Sequence, residues 1–202
     1  MIKTLLFDFG DVFLNLDKQA TIRELQKLGI KEFTAEMLLW NQAYEKGTIS
    51  TETFIKNYQQ VFPFVSKKSL LKAWNAILLD FPPPRLDFIQ KLAKKKSFQL
   101  LLLSNTNEIH IDWVKNNIEP FDAFKACFDG FYLSHEIALR KPEIDCYQFI
   151  LDQHHLKPEE ILFIDDTKEN TDAAKELGFQ VWNIQPKKED IIQLFKQKEL
   201  FL

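Results

Sequence analysis

Short apolar segments alternate with amphipathic segments along most of this 202-residue chain. Each apolar segment ends in polar or turn-forming residues, which predicts short buried strands. These segments are 2–7, 99–103, 128–133, 161–164 and 179–184. Helical periodicity at 85–96, 146–155 and 168–178 places amphipathic helices between them. Strands that alternate with helices predict an α/β fold, a doubly wound parallel sheet with helices on both faces.

The stretch from 17 to 82 follows a different pattern, with helical periodicity and no convincing strand. Thr34, Ser50 and Ser66 stand where helix N-caps are expected. Three consecutive prolines close the stretch, because proline interrupts a helix. We therefore predict a small helical domain at 17–82, inserted after the first strand of a core that comprises 1–16 and 83–202.

Composition narrows the possible partners. The net charge of -3 gives no general attraction to nucleic acid or to an anionic membrane. The sequence contains no run of ~18 apolar residues, so we expect no membrane span. Cys127 and Cys146 lack the spacing of a disulfide framework or a metal site, which is typical of a reducing compartment. We expect a cytoplasmic monomer or weak dimer.

Polar side chains follow the predicted strands at their carboxyl ends. They are Asp8, Ser104, Asn105, Asp165 and Asp166. Ligands of open parallel sheets bind outside these ends, so we expect the residues to converge. Three carboxylates would repel one another unless a hard cation such as Mg²⁺ joined them. The Ser104 hydroxyl and the Asn105 backbone N–H suit a phosphate group, and Lys141 is a cation that can neutralise it.

Four segments together resemble the ordered motifs of the haloacid dehalogenase-like (HAD-like) hydrolases. They are LLFDFGDVF at 5–13, LLLSNTN at 101–107, RKPE at 140–143 and FIDDTKEN at 163–170. Each motif alone is weak, but all four occur in order across nearly the whole chain. Their combination resembles the alpha-D-glucose-1-phosphate phosphatase-like branch. The resemblance implies a Rossmannoid core with a helical cap, and magnesium-dependent hydrolysis of a small phosphorylated metabolite, with a sugar phosphate as the expected substrate.

The resemblance also implies residue roles. Asp8 would attack phosphorus and form an aspartyl-phosphate, and Asn170 would steady the loop after Asp166. The implied metal ligands are Asp8, the Gly10 carbonyl, Asp166 directly, and Asp165 directly or through water. The implied phosphate ligands are Ser104, Asn105 and Lys141.

One position departs from the usual phosphatase pattern. Most phosphatases of this superfamily carry a second Asp two residues after the nucleophile as general acid, whereas this chain has Gly10. The same glycine is typical of the branch that the chain resembles. Asp11 is the candidate acid, and water or the substrate itself is the alternative. A good leaving group, such as the anomeric oxygen of a sugar 1-phosphate, needs less acid assistance.

Three other functions remain open from the sequence alone. A 2-haloacid dehalogenase would also use an Asp nucleophile, but it needs no metal, so the pair Asp165–Asp166 argues against it. A non-catalytic member that binds phosphorylated ligands is permitted by Gly10. A phosphoacceptor signalling domain would lack the helical insert.

Overall fold

A five-stranded, wholly parallel sheet lies at the centre of the computed structural model, which describes residues 1–197. The strand order is β3-β2-β1-β4-β5. The strands are β1 (Thr4–Phe7), β2 (Gln99–Ser104), β3 (Gly130–Leu133), β4 (Ile161–Asp165) and β5 (Gln180–Asn183). The predicted α/β fold with a doubly wound parallel sheet is therefore confirmed, with all five strands at the predicted places.

Helices occupy both faces of the sheet and the region between β1 and β2. Between β1 and residue 82 lie α1 (Ala20–Lys27), α2 (Ala35–Glu45), α3 (Thr51–Val61) and α4 (Lys67–Asn75). The others are α5 (Pro83–Lys95), α6 (Glu108–Asn117), α7 (Phe121–Lys125), α8 (Ser134–Ile137), α9 (Ile144–His154), α10 (Lys168–Glu176) and α11 (Leu194–Gln197). Within residues 1–197, no helix combines the length and the apolar character that a bilayer crossing requires.

The apolar runs form strands because both faces of the sheet are covered. Side chains alternate between the faces of a strand. In β1, Leu5 and Phe7 pack into one apolar cluster, whereas Leu6 packs into a second cluster with residues of α9 and α10. A strand buried on both faces needs apolar residues at successive positions, which explains the continuous apolar runs in the sequence.

Side-chain caps begin three helices of the region between β1 and α5. Thr34, Ser50 and Ser66 accept hydrogen bonds from the backbone N–H groups three residues later, at 3.2, 3.2 and 3.1 Å. These bonds satisfy backbone donors that have no partner inside the helix. The three N-caps predicted from the sequence are confirmed.

Two chain segments connect this helical region to the sheet, and they run side by side. The Asn15 carbonyl accepts from Leu79 at 3.0 Å, and the Asn15 N–H donates to the Asp80 carbonyl at 2.9 Å. The four helices share their own apolar cluster, which includes Leu25, Met37 and Phe54. The division into a cap at 17–82 and a core at 1–16 and 83–202 stays a prediction, and residues 198–202 of that core lie outside the described residues.

Candidate active site

Three acidic side chains meet at the carboxyl ends of the neighbouring strands β1 and β4. Asp8 directly follows β1, Asp165 ends β4, and Asp166 comes next. The Asp8 N–H donates to the Ile164 carbonyl at 2.9 Å, which extends the pairing of the two strands to this point. One carboxylate oxygen from each residue lies within 4.8 Å of the others. The structure thus brings together the three carboxylates that the sequence analysis selected.

Lys141 is buried between two of these carboxylates. Its Nζ donates to Asp8 Oδ1 at 2.7 Å and to Asp165 Oδ2 at 2.6 Å, and its side chain is 1% exposed. The Asn105 side chain holds the Lys141 backbone, because Oδ1 accepts from the Lys141 N–H at 2.9 Å and Nδ2 donates to the Lys141 carbonyl at 2.8 Å. The Asn105 amide therefore positions the lysine.

The charges in this cluster shift the pKa values of its members. Burial raises the pKa of Asp8 from 3.8 to about 7; Lys141 opposes this rise, and the charges of Asp165 and Asp166 add to it. Burial also raises the pKa of Asp166. Burial would lower the pKa of Lys141, but the charges of Asp165 and Asp8 outweigh burial and raise it above its ordinary 10.5. Lys141 is therefore positively charged, and the site holds more carboxylate charge than its buried lysine neutralises.

Asp165 is fully engaged by the protein. It accepts the Thr167 N–H at 2.7 Å and the Asn170 side-chain amide at 3.0 and 3.2 Å, in addition to Lys141. Asn170 thus holds the acidic loop where the sequence resemblance expected it to act. With this many donors, Asp165 has less capacity for a cation than Asp8 or Asp166.

Asp166 contacts a lysine that the sequence analysis did not select. Lys18 Nζ forms an ion pair with Asp166 Oδ2 and lies 3.5 Å from Asp11 Oδ2. Lys18 lies at the beginning of the helical region, where no motif marks it, so only the folded chain shows its place at the site.

The oxygen donors fit a divalent cation of the Mg²⁺ type. Such ions take carboxylate and carbonyl oxygens and keep several waters. Among residues 1–197, the side-chain carboxylate of Asp8 accepts one hydrogen bond, from Lys141, and that of Asp166 accepts one, from the half-exposed Lys18, so both carboxylates keep lone pairs for a cation. The raised pKa values of Asp8 and Asp166 show that additional positive charge would be stabilised at this point. Asp8, Asp166 and the Gly10 carbonyl would hold the ion, with Asp165 beside them.

Two cavities meet beside the acidic cluster. The first, about 430 Å³, is lined by Asp8, Lys141 and Asp166, among others. The second, about 420 Å³, extends toward α2 and α4 and is lined largely by apolar side chains such as Trp74 and Leu78, and Ser104 is among its other lining residues. The residues that line both cavities are Gly10, Leu16, Glu45, Asn105 and Arg140. We call these five residues the junction.

Leu16 borders Gly10 on the side where a side chain would extend. A Cβ atom at Gly10 would lie 2.7 Å from Leu16 Cδ1, a distance that would force Leu16 to move. Asp11 has a φ of 54°, and its Oδ1 accepts the Leu16 N–H at 3.0 Å. Asp11 lines a different cavity with Lys18 and is absent from the described lining of the Asp8 cavity. The role of Asp11 as general acid stays a prediction.

Comparison with known proteins identifies the family. The sequence matches the family of haloacid dehalogenase-like hydrolases over residues 2–178, and the chain belongs to this family. It is 28% identical over 193 residues to the D-ribitol-5-phosphate phosphatase of Bacteroides thetaiotaomicron, covering 90% of this chain and 91% of that protein. The predicted superfamily is confirmed, whereas the predicted branch stays a prediction.

Solved structures agree with this assignment. A HAD family enzyme of Bacteroides thetaiotaomicron, solved as a magnesium complex, has a TM-score of 0.85 at 35% identity, covering 96% of this chain and 98% of that one. The wild-type complex of that enzyme with magnesium and inorganic phosphate has a TM-score of 0.83 at 33% identity, covering 96% and 100%. The L-2-haloacid dehalogenase of Xanthobacter autotrophicus, at 18% identity, a TM-score of 0.56 and coverage of 90% and 76%, shares the fold alone.

Proposed function

We propose that this protein is a magnesium-dependent phosphatase that hydrolyses a small phosphorylated sugar or polyol through an aspartyl-phosphate on Asp8. One observation carries the proposal: among residues 1–197, Asp8 has one oxygen bound to Lys141 and the other without a side-chain donor, beside Asp165 and Asp166. The similarity to a D-ribitol-5-phosphate phosphatase and to a structure with magnesium and inorganic phosphate supports it.

The contacts of Asp8 suit a nucleophile. Lys141 fixes Oδ1 and leaves Oδ2 to attack phosphorus. The attack forms an Asp8–phosphorus bond and breaks the bond between phosphorus and the ester oxygen, which takes up a proton and leaves as an alcohol. Water then attacks phosphorus, and inorganic phosphate and the Asp8 carboxylate are released. Bound magnesium would supply positive charge to the phosphate oxygens.

Lys141 contributes in both steps of this reaction. Its charge, held between Asp8 and Asp165, balances negative charge on the phosphoryl group without the need for solvent to reorganise. We expect the Ser104 hydroxyl and the Asn105 backbone N–H to bind other oxygens of the phosphate.

Proton delivery to the leaving oxygen has no acidic side chain at position 10. Leu16 occupies the space into which a side chain at Gly10 would extend, and Asp11 is bound to the Leu16 backbone. We therefore favour water, or the substrate itself, as the proton source.

The helices α1–α4 would act as a cap over the apolar cavity. α2 and α4 contribute Leu38 and Trp74 to its wall, so a substrate bound at Asp8 would extend its organic part between the sheet and these helices. We expect this cap to exclude water from the aspartyl-phosphate until the alcohol has left.

A panel of phosphate esters tests the function. We expect the purified protein to release phosphate from small sugar or polyol phosphates when Mg²⁺ is present, and to lose this activity with EDTA, since the carboxylates would then repel one another and the phosphate. Phosphate release that survives chelation, or halide release from 2-chloropropionate without a metal, would contradict the proposal.

The stability of the metal-free protein gives an independent prediction. The pKa of Asp8 is about 7 in the folded protein against an ordinary 3.8, so between these values unfolding releases a proton. Stability therefore falls as pH rises through this window. Asp8→Asn removes the effect, and we expect the variant to exceed wild type by about 1–4 kcal/mol above about pH 7, with the difference vanishing near about pH 4.

Urea unfolding in EDTA at about pH 5 and about pH 8 measures this difference. Lys141 keeps Asp165 as a partner in the variant, so the loss of Asp8 does not leave the lysine unpaired. A variant less stable than wild type at the higher pH would show that Lys141 stabilises the Asp8 carboxylate more than burial destabilises it.

A further inference from the structure

Two of the five junction residues, Glu45 and Arg140, form an ion pair. Arg140 Nε donates to Glu45 Oε2 at 2.7 Å, and the side chains are 22% and 28% exposed. Glu45 ends α2, whereas Arg140 immediately precedes the buried Lys141. Both residues line the cavity of Asp8 and the apolar cavity. If a phosphate ester is bound at Asp8 and its organic part lies in the apolar cavity, the carbon atoms nearest to the ester oxygen would lie beside this ion pair.

The pair has unused hydrogen-bonding capacity. Among residues 1–197, the side-chain hydrogen bonds use only Nε of Arg140 and only Oε2 of Glu45. The two terminal nitrogens of the guanidinium, which carry four N–H groups, and the second carboxylate oxygen remain available. A donor and an acceptor therefore lie side by side, and two neighbouring hydroxyl groups of a ligand would satisfy both, one by accepting and one by donating.

The backbone around Glu45 is fixed against the core. Ser134 Oγ lies 2.6 Å from the Glu45 carbonyl and donates to it. A Cβ atom at Gly47 would lie 2.1 Å from the His135 carbonyl oxygen, so the two backbones are in direct contact at this position. Glu45 is thus held in place before a substrate binds, as a residue that selects substrates requires.

We propose that Glu45 and Arg140 select the substrate by binding two neighbouring hydroxyl groups on the carbons closest to the phosphate ester. This inference rests on the proposed phosphatase function and narrows its substrate class to polyhydroxylated phosphate esters. Leu78 and Trp74 line the same cavity and would contact the C–H groups of the carbon chain. A cavity of about 420 Å³ holds a sugar or polyol of small size.

A matched pair of substrates tests the assignment. Pentitol 5-phosphate and n-pentyl phosphate have the same carbon chain and differ in their hydroxyl groups. We expect Glu45→Gln to lower the ratio of their kcat/KM values by about 10–100-fold, because a hydrogen bond to a charged group is lost with the first ester alone. The loss should lie mainly in a raised KM for the pentitol ester, since the bond is present before and during the reaction. The ratio is independent of the fraction of folded enzyme.

Two further variants sharpen the test. Arg140→Gln should lower the ratio to a similar extent, and the double variant should be little worse than either single one, because the two residues act as a unit. Lys46→Gln is the matched control, since it breaks the neighbouring ion pair of Lys46 with Glu143. Neither residue is among the described lining residues of the two cavities. This variant should leave the ratio unchanged within about 2-fold, the scatter expected for an exposed pair.

The outcomes separate the two proposals. An unchanged ratio in Glu45→Gln, or an equal fall in Lys46→Gln, would overturn the selection role while wild-type turnover leaves the phosphatase function intact. A wild-type enzyme that prefers n-pentyl phosphate would also overturn it. A wild-type enzyme that hydrolyses neither these esters nor the wider panel would remove the phosphatase function and this inference together.

Discussion

Asp8→Asn is expected to lower the turnover of magnesium-dependent phosphate release by at least about 1000-fold, because the variant lacks the nucleophile on which the aspartyl-phosphate forms. The amide is nearly the same size as the carboxylate, so packing around position 8 should be retained. Asp8 is buried, and its backbone N–H bonds the Ile164 carbonyl in the variant as in wild type. Steady-state phosphate release with saturating Mg²⁺ measures the effect.

A matched control separates this effect from a general loss of negative charge. Asp172 is an exposed aspartate of α10 that pairs with Lys168 on the surface. Asp172→Asn should retain wild-type turnover. If Asp8→Asn also retained it, another residue would have to be the nucleophile, and the aspartyl-phosphate mechanism on Asp8 would be wrong.

Lys141→Met is expected to impair both activity and stability. The substitution leaves Asp8 and Asp165 buried without the cation that now bridges them at 2.7 and 2.6 Å. Removing one partner of a buried ion pair typically costs about 3–5 kcal/mol, and losing a fixed charge next to the reacting group typically lowers turnover by about 100–1000-fold. Urea unfolding in EDTA and steady-state kinetics measure the two losses.

The stability loss should depend on what else neutralises the carboxylates. Adding Mg²⁺ should restore part of it, because the ion binds the folded state and contributes the missing positive charge. Lys168→Met, which removes an exposed lysine of α10, should change stability little. A Lys141→Met variant as stable as wild type without metal would show that the buried carboxylates are neutral and do not depend on the lysine for their stabilisation.

The sheet and its acidic cluster could be predicted because their signals are local. The apolar runs of β1 and β4 and the aspartates that follow them are contiguous in sequence, and parallel strands place their carboxyl ends at one edge. The signals of the caps Thr34, Ser50 and Ser66 are equally local. Helix α6 was missed because its residues Glu108–Asn117 mix polar and apolar positions without a clear stripe, although the Asn107 cap marks its start.

The parts that could not be predicted depend on how distant segments pack. Glu45 and Arg140 are 95 positions apart, and they meet because α2 packs against α8, which precedes Arg140 in the chain. Lys18 reaches Asp166 across 148 positions. The Asn105 side chain holds the Lys141 backbone, a role that the residue type alone does not indicate. Leu16 borders Gly10 only because the loop after β1 folds back.

A crystal structure of the protein with Mg²⁺ and beryllium fluoride, a mimic of a bound phosphoryl group, would locate the nucleophile and the metal site in one experiment. We expect beryllium bonded to an Asp8 oxygen, with Mg²⁺ coordinated by Asp8 and Asp166 at about 2.0–2.1 Å and Lys141 still in contact with Asp8. Beryllium fluoride on another residue, or a metal ion bound without Asp8 and Asp166, would contradict the proposed role of Asp8.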